Sequence, residues 1–421
     1  MHILLAQNLL HLPAFGGANK TNRVLVHRLA ERGHTCRVVA PMAAGHWPAS
    51  RPEFRRFLAD RGLTVTHEPD EAIVYDDAGV EVHAVPESSR LPLYATGLCR
   101  RVAPDLALVT LGELSFIMVN AAFEGVGPDR VVCLLHTVDY LPFGPSAQAP
   151  SEAGTRQLRR AGGLLTVSRL AETYVREHGG LDSVMLRLPL HAIEPGPFPD
   201  AAPFPGAGDR AGGAVTLINP SGEKGIATFL YLADRLPGQD FLAVPTWATT
   251  AADRAALAAR PNIRLMDPSE DIDDVLARTR VLVMPSVWAE TFGMSAPEAM
   301  LRGIPVVASD RGGLPEAMAG APYLLPADVP DRWLAVVSRL LSDAEHYRDV
   351  SARAREAATR LVAGARFEDV EAYLLDRIQA SGRSSTGRAG EDVRARVDDL
   401  SPAQRRVLAA MLARRARTGG G

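Results

Sequence analysis

The chain has 421 residues, of which 47% are hydrophobic and 23% are charged, and its formal net charge is −3; this composition is typical of a globular protein of two or three domains. No apolar run approaches the roughly 20 residues needed to span a bilayer. Three scattered cysteines, Cys36, Cys99 and Cys133, indicate neither a disulfide framework nor a zinc cluster, and a reducing cytoplasm is the expected location. Residues 381–421 hold nine arginines and four acidic residues, net +5, which leaves −8 on the rest and argues against nucleic-acid binding.

Short β-branched or apolar runs alternate with helical patterns from the first residue onward. In the first half, a helix is predicted over residues 20–32, and the predicted strands cover residues 2–6, 36–40, 106–110, 131–135, 164–167 and 184–188. In the second half, a helix is predicted over residues 226–236, and the predicted strands cover residues 214–218, 241–244, 263–266, 281–284 and 306–308. This alternation predicts βαβ units and parallel, doubly wound sheets.

The two halves are separated by residues 189–213, which contain six prolines and five glycines. No packed element tolerates that composition, so this segment is predicted to be a linker. We therefore predict a first Rossmann-like domain over residues 1–188. A second Rossmann-like domain over residues 214–380 is closed by helical patterns at 331–342 and 367–378. The carboxyl ends of both sheets would face each other across a cleft.

Residues 381–421 are predicted to form a tail. Residues 382–390 are rich in serine, glycine and arginine, as in a flexible tether. A capping box with a proline in the first turn then starts an amphipathic helix over residues 400–416. Such a short helix is marginal alone and should dock on something. It resembles the helices that border nonribosomal peptide synthetase modules, so a protein partner and its own chain both stay open as docking sites.

Residues 284–300 form the most informative segment of the sequence. A β-branched run stops at Pro285, a loop carries Glu290, and a helix starts near Ser295 with Glu298 in its first turn. Carboxylates bind hydroxyl groups, whereas the free N–H groups of a helix start bind anions. A nucleotide diphosphate sugar offers both kinds of group, because a ribose diol and a sugar triol flank its two phosphates.

Around this segment the sequence resembles the donor-binding core of retaining GT-B glycosyltransferases, in the large family with a Glu-x7-Glu motif (glycosyltransferase family 4-like). Glu290 and Glu298 match the two glutamates, which in the family contact the hydroxyls of the donor sugar and the ribose diol. The resemblance covers roughly residues 1–380 and implies a GT-B fold with two Rossmann-like domains. The neighbouring residues at family spacing are Phe292, Gly293, Met294 and the loop from Arg311 to Glu316.

A second matching element is the loop from Asn219 to Gly225, between a strand and a helix. The family has a lysine here that neutralises the donor diphosphate, and Lys224 matches it. The family usually has an arginine five or six residues earlier, where this chain has Asn219 and Ile218. Either Lys224 and backbone amides carry the phosphates alone, or an arginine from elsewhere substitutes, for which Arg311 is the candidate.

The first domain contributes a glycine pair and a histidine. Gly16 and Gly17 follow the first strand, where paired glycines let the backbone approach a ligand, and the family's loop at this position borders the donor phosphate and the acceptor. His136 ends a buried strand, and the family's histidine at this point touches the sugar. The candidates for acceptor contacts are Glu113, Thr137 and Asp139.

Asp271 and Asp273 match the Asp-x-Asp metal pattern of the other glycosyltransferase fold. They precede a helix, where acidic residues favour the N-terminus through the helix dipole, so we interpret them as capping residues. No cluster of histidines and cysteines provides another metal site. We therefore expect an enzyme that needs neither metal nor cofactor, with the nucleotide sugar as its co-substrate.

The resulting hypothesis is a retaining hexosyl- or deoxyhexosyltransferase acting on a small molecule or natural-product intermediate. His136, Glu290 and Lys224 are its predicted catalytic residues, and Lys224 stabilises the leaving diphosphate. Two alternatives are an epimerase of the same architecture and a non-catalytic partner of an assembly line. Association with a membrane surface is a further alternative; the aromatic residues and arginines that suggest it are Trp47, Arg51, Phe54, Arg55, Arg56 and Phe57.

Overall fold

The computed structural model describes residues 1–186 and 213–384, with the exception of positions 46, 48 and 365. Most of the predicted linker, the tether beyond residue 384 and the predicted helix over residues 400–416 lie outside the described residues. Within the described ranges, no helix combines the length and apolar character needed to cross a membrane.

The first domain is built on a nine-stranded sheet with the order β3-β4-β5-β2-β1-β6-β7-β8-β9. Its strands are β1 (His2–Ala6), β2 (Thr35–Pro41), β3 (Val65–His67), β4 (Ile73–Asp77), β5 (Val80–Val85), β6 (Leu106–Leu111), β7 (Val131–Leu135), β8 (Gly163–Thr166) and β9 (Val184–Met185). The pairing is parallel except at β4, which is antiparallel to β3 and β5. The sequence prediction missed these edge strands, although Ala78 and Gly79 form a two-residue hairpin turn with φ values of 52° and 84°.

Helices cover both faces of the first sheet. They are α1 (Gly17–Glu31), α2 (Arg51–Asp60), α3 (Leu91–Val102), α4 (Ile117–Val126), α5 (Glu152–Leu158) and α6 (Arg169–Tyr174). Alternate residues of β1 face opposite sides: Ile3 and Leu5 join the apolar core beneath α1 and α2, whereas Leu4 and Ala6 join the core beneath α3 and α4. The sheet is therefore buried on both sides, as doubly wound sheets are.

The second domain has a six-stranded parallel sheet with the order β12-β11-β10-β13-β14-β15. Its strands are β10 (Ala214–Ile218), β11 (Phe241–Val244), β12 (Ile263–Leu265), β13 (Thr279–Met284), β14 (Val306–Ser309) and β15 (Leu324–Leu325). The helices from here to the end of the described chain are α7 (Ile226–Arg235), α8 (Ala251–Ala258), α9 (Ile272–Leu276), α10 (Ser295–Leu301), α11 (Leu314–Met318), α12 (Pro330–Ser342), α13 (Ala344–Ala363) and α14 (Phe367–Ser384).

Strand order reverses direction at one place in each sheet. In the first sheet this switch point lies between β1 and β6, and in the second it lies between β10 and β13. Loops that leave the carboxyl ends of such strands diverge and open a crevice, which is where doubly wound sheets bind ligands. The segments with Gly16, Lys224 and Glu290 are the loops that leave β1, β10 and β13.

The last helix, α14, requires a correction to the predicted domain boundary. The prediction placed all of residues 214–380 in the second domain, but Phe367, Val370 and Leu374 belong to the apolar core of the first. In addition, the hydroxyl of Tyr373 accepts a hydrogen bond of 3.1 Å from the backbone N–H of Leu164. The apolar period of a helix shows that one face is buried, but it carries no information on which sheet covers that face.

Truncation of the buried face of α14 should destabilise the first domain. Leu374 is fully buried, whereas its neighbour Leu375 is 43% exposed. Leu374→Ala should therefore lower the free energy of unfolding by about 2–5 kcal/mol, and the matched variant Leu375→Ala by less than about 1 kcal/mol. Urea unfolding of both variants measures this; equal losses would show that α14 does not pack on the first domain in solution.

Candidate functional site

A cleft of about 920 Å³ lies between the carboxyl edges of the two sheets, with walls from both domains. The loops after β1, β7, β10 and β13 line it, as the positions of the switch points require. Most of the predicted site residues lie in its lining. They are Gly16, Gly17, His136, Thr137, Asp139, Asn219, Lys224, Glu290, Phe292, Gly293, Met294 and Glu298.

Glu290 and Lys224 form an ion pair in the floor of the cleft. The ammonium of Lys224 lies 2.5 Å from Oε1 of Glu290, and the buried hydroxyl of Ser286 donates a second hydrogen bond of 2.7 Å to the same oxygen. Because both donors use Oε1, Oε2 keeps its lone pairs for a ligand, as far as the described residues show. Glu290 is 8% exposed, so its orientation is set by these two partners.

Backbone contacts hold the two loops of this ion pair together. The N–H groups of Val287 and Trp288 donate to the carbonyl of Glu223 at 3.0 and 3.3 Å. Gly225 has a left-handed φ of 77° and lies against the chain at Pro285: an added Cβ would be 1.9 Å from its carbonyl oxygen. Only glycine permits so close an approach in that conformation. Lys224 therefore reaches Glu290 from a loop whose path depends on the glycine beside it.

The Gly312-Gly313 turn supports Glu290 from the other side. A Cβ on Gly312 would lie 2.2 Å from the carbonyl oxygen of Glu290, and the N–H of Gly313 donates to that oxygen at 2.6 Å. These two glycines therefore lie directly against the backbone of Glu290 and help to fix the path of its loop. Arg311, just before them, is exposed and does not line the cleft, so its position does not support the suggested role as substitute phosphate ligand.

Glu298 lies on the first turn of α10 and is 3% exposed. Its Oε1 lies 3.8 Å from the ammonium of Lys20, which comes from α1 of the opposite domain. Burial raises the pKa of Glu298, and the positive charges of Lys20 and Arg302 offset only part of this effect. The helix α10 spans seven residues, and two positive side chains, those of Lys20 and Arg302, act on the carboxylate in its first turn.

His136 directly follows β7 and is hydrogen-bonded to a polar network beneath the glycine loop. Its Nε2 lies 2.8 Å from Oδ1 of Asn22 and donates to it, while the amide of Asn22 donates to Gln7 and Thr110 at 2.7 and 2.8 Å. Burial lowers the pKa of His136 to about 4. The ring is therefore neutral near pH 7, and Nδ1 is left as a hydrogen-bond acceptor.

Thr137 and Asp139 follow His136 in the cleft wall, and the Thr137 hydroxyl donates to the Asp139 carboxylate. Burial raises the pKa of Asp139; the nearby charge of Glu290 also raises it, whereas the Thr137 bond and Lys224 act in the opposite direction. Asp139 is thus electrostatically coupled to the Glu290–Lys224 pair across the domain gap. Glu113 lies outside the cleft lining, and its carboxylate accepts a hydrogen bond of 2.6 Å from the N–H of Met118.

Asn219 lines the cleft at the point where the family resemblance calls for an arginine. Its backbone is left-handed, with φ of 59°, a conformation that asparagine tolerates better than most residues. Its amide oxygen accepts from the N–H of Ala248 and the hydroxyl of Thr249 at 3.2 and 3.4 Å. Asn219 therefore holds the loop after β11 in place and brings no charge.

The two aspartates of the Asp-x-Asp pattern have structural partners. Asp271 caps α9 by accepting the N–H of Asp273 at 2.9 Å, and Asp273 pairs with the buried guanidinium of Arg302. Among the described residues, one group has the arrangement of a metal site, namely His11, His27 and Asp77. There both imidazoles bond to Asp77, which also accepts two hydrogen bonds of 2.8 Å from Arg23. This guanidinium would repel a metal ion.

Solved structures with the same architecture are glycosyltransferases of the GT-B fold. Sucrose-phosphate synthase from Thermosynechococcus elongatus has a TM-score of 0.61 at 17% identity, over 91% of this chain and 99% of that one. Alr3699/HepE of Anabaena, in complex with UDP-glucose, has a TM-score of 0.61 at 15% identity, over 90% of this chain and 100% of that one. The chain has the GT-B fold, as the sequence predicted.

Within the second domain, residues 223–343 match the family model for glycosyl transferases group 1, which confirms the resemblance found around Glu290 and Glu298. D-inositol 3-phosphate glycosyltransferase from Corynebacterium diphtheriae is 30% identical over 141 residues, 31% of this chain and 33% of that protein. MMP alpha-(1->4)-mannosyltransferase from Mycolicibacterium hassiacum is 36% identical over 96 residues, 22% of this chain and 23% of that protein. The chain thus spans a third or less of the length of these curated relatives.

The close approach at Gly225 leads to a stability prediction within one loop. Gly225→Ala should lower the free energy of unfolding by at least about 2 kcal/mol, because its φ is left-handed and its Cβ would collide with the backbone at Pro285. The matched variant is Gly222→Ala, whose Cβ would meet no atom within 4 Å. Its effect should stay within about 0.5 kcal/mol. Chemical unfolding of both variants measures the difference; a neutral Gly225→Ala would contradict the described loop contact.

Proposed function

We propose that the protein is a retaining glycosyltransferase that transfers a sugar from a nucleotide diphosphate sugar to a small-molecule acceptor. The observation that carries this proposal is the Lys224–Glu290 ion pair in a cleft that also holds the buried carboxylate of Glu298. The two similar proteins described above are a glycosyltransferase and a mannosyltransferase, and a protein of the same fold binds UDP-glucose. The acceptor class proposed is a small molecule or natural-product intermediate.

The donor is proposed to lie along the second-domain wall. Glu298 accepts hydrogen bonds from the ribose diol, and Oε2 of Glu290 accepts them from sugar hydroxyls; each charge-assisted bond contributes roughly 1.5–3 kcal/mol. Lys224 lies within hydrogen-bond distance of Glu290, so its ammonium sits where the sugar meets the diphosphate. Nδ1 of His136, the acceptor nitrogen of the neutral ring, receives a further hydroxyl from the sugar.

The chemical step is proposed to occur on one face of the sugar. The bond between the anomeric carbon and the diphosphate oxygen breaks while the acceptor oxygen bonds to that carbon from the same side, which preserves the configuration. The proton of the acceptor hydroxyl passes to the departing phosphate oxygen. Lys224 stabilises the negative charge that develops there, and Glu290 keeps the ammonium in place before the donor arrives.

No metal ion or cofactor is required in this proposal, because an ammonium supplies the charge that a metal would otherwise bring to the diphosphate. Transfer should therefore persist in the presence of EDTA.

The membrane-surface alternative receives little support from the aromatic residues on which it was based. Phe54 is 1% exposed, and its ring and that of Trp47 lie 5.8 and 5.5 Å from the ring of Phe57.

Binding of a donor nucleotide should raise the melting temperature, since a ligand that binds only the folded state stabilises it. We expect a rise with at least one member of a panel of UDP-, GDP- and dTDP-sugars, and Lys224→Ala should abolish it. Arg264→Ala, which removes an equal charge from an exposed site of the second domain, serves as control. No response of the wild-type protein across the panel would refute the proposed function, and formation of an epimerised donor without any glycoside would favour the epimerase.

Donor affinity should also depend on pH through Glu298. Its pKa is raised, and the ionised form accepts the diol hydrogen bonds, so affinity is complete above this raised pKa and is lost as the pH falls through it. A nucleotide sugar is the suitable probe, because its esterified phosphates do not titrate in this range. Calorimetry between about pH 4 and 7 should show the loss in the wild-type protein, whereas Glu298→Gln should bind weakly and keep only the smaller pH dependence that comes from Asp139 and His136. A wild-type affinity that does not change with pH would exclude this role for Glu298.

A further inference from the structure

The diphosphate site has so far been assigned one cation, Lys224. The two other residues considered for this role do not supply a second, because Asn219 is neutral and holds the loop after β11, and Arg311 lies outside the cleft lining. Apart from the neutral His136, the basic residues that line the cleft within the described ranges are Lys20, Arg169 and Lys224. Two phosphates carry two negative charges, so a second cation is expected near the first.

We infer that Lys20, on the opposite domain, is this second cation and binds the phosphate next to the ribose. This inference rests on the proposed function, because it takes the second-domain wall as the donor site. Lys20 lies 3.8 Å from Glu298, the proposed ribose ligand, whereas Lys224 lies 2.5 Å from Glu290, the proposed sugar ligand. The two ammonium groups thus belong to opposite ends of the diphosphate.

Burial and geometry favour Lys20 over Arg169. The side chain of Lys20 is 22% exposed beside a carboxylate that is 4% exposed, so its charge is partly shielded from water and acts strongly. Arg169 is exposed, and its contact across the cleft is made by its backbone N–H, which donates to Glu316 at 2.9 Å. A distance of 3.8 Å is longer than a hydrogen bond. As far as the described part of the chain shows, the Lys20 ammonium can therefore turn its donors toward phosphate oxygens.

The number of lysines in the chain also supports Lys20 as the second cation. Of its 46 basic residues, only Lys20 and Lys224 are lysines, and all the others are arginines. Both lysines lie in the lining of one cleft, on opposite walls. An ammonium is a compact point charge on a flexible stem, whereas a guanidinium is a wide planar fork. The narrow gap between α1 and α10 suits the compact group: a Cβ on Gly17 would already lie 3.3 Å from the side chain of Met294.

Nucleotides with different numbers of phosphates separate the two lysines. The probes are UDP, GDP and dTDP, the corresponding monophosphates, and the nucleosides without phosphate. Lys20→Met should weaken binding of both the diphosphate and the monophosphate about 10- to 100-fold, because both contain the ribose-linked phosphate. Lys224→Met should weaken binding of the diphosphate by a similar factor, but binding of the monophosphate by less than about threefold. Nucleoside binding should change in neither variant.

Two control variants make this test decisive. Arg28→Met removes the same charge from a partly exposed position of α1 that lies outside the cleft lining and should leave all affinities unchanged. Lys20→Arg should retain part of the phosphate affinity that Lys20→Met loses. If Lys20→Met weakens binding of the nucleoside as much as binding of the monophosphate, Lys20 only positions Glu298 and the inference is wrong. If the wild-type protein binds none of the diphosphates, the proposed function itself fails, which is a different result from unchanged binding in Lys20→Met.

The presence of only two lysines also permits a direct observation. Reductive ¹³C-methylation of the full chain keeps both charges and yields two lysine signals, which Lys20→Met and Lys224→Met assign. A bound diphosphate should shift both signals, whereas the monophosphate should shift that of Lys20 alone. A monophosphate that shifts only the signal of Lys224 would reverse the assignment and overturn the inference.

Discussion

The ion pair between Lys224 and Glu290 is the interaction on which the rest of the site depends. It joins two loops 66 residues apart in the chain, which leave neighbouring strands at the switch point of the second sheet. Burying two charges costs free energy unless they are paired and hydrogen-bonded, and here Ser286, the backbone of Glu223 and two close-packed glycines supply the geometry. The neighbouring elements complete the site: α10 places Glu298 on the same wall, and the glycine turn before α11 packs against the backbone of Glu290.

Several polar contacts join the two domains near the cleft. Glu270 of the second domain accepts from the N–H of Ala14 at 2.8 Å and pairs with Arg61 at 2.6 Å. Glu298 faces Lys20, and Glu316 accepts the N–H of Arg169. In each case an acid of the second domain meets a donor of the first. These contacts therefore hold the two walls of the cleft against each other beside the site.

In the first domain, buried hydrogen-bonded side chains hold the loops that line the cleft. Although burial opposes its charge, hydrogen bonds from Arg23, His11 and His27 hold the pKa of Asp77 well below its usual range. This carboxylate thereby ties α1 and the loop after β1 to the edge hairpin that the sequence reading missed. On the other side of α1, Asn22 links His136 to Gln7 and Thr110. The glycine pair and His136 are therefore positioned by one helix.

The sequence by itself determined the alternation of strands and helices and the limits of most strands, because these follow from local apolar periods. It also identified the residues with which the second domain lines the cleft, because they lie in one compact segment around Glu290 and Glu298. It also contained the two lysines, but no local pattern shows that Lys20 and Glu298, 278 positions apart in the numbering, face each other. Only the tertiary structure decided that contact, the return of α14 to the first domain and the exclusion of Arg311 and Glu113 from the cleft. Such facts depend on which surfaces meet when the chain closes on itself, and side-chain period and spacing carry no information about that.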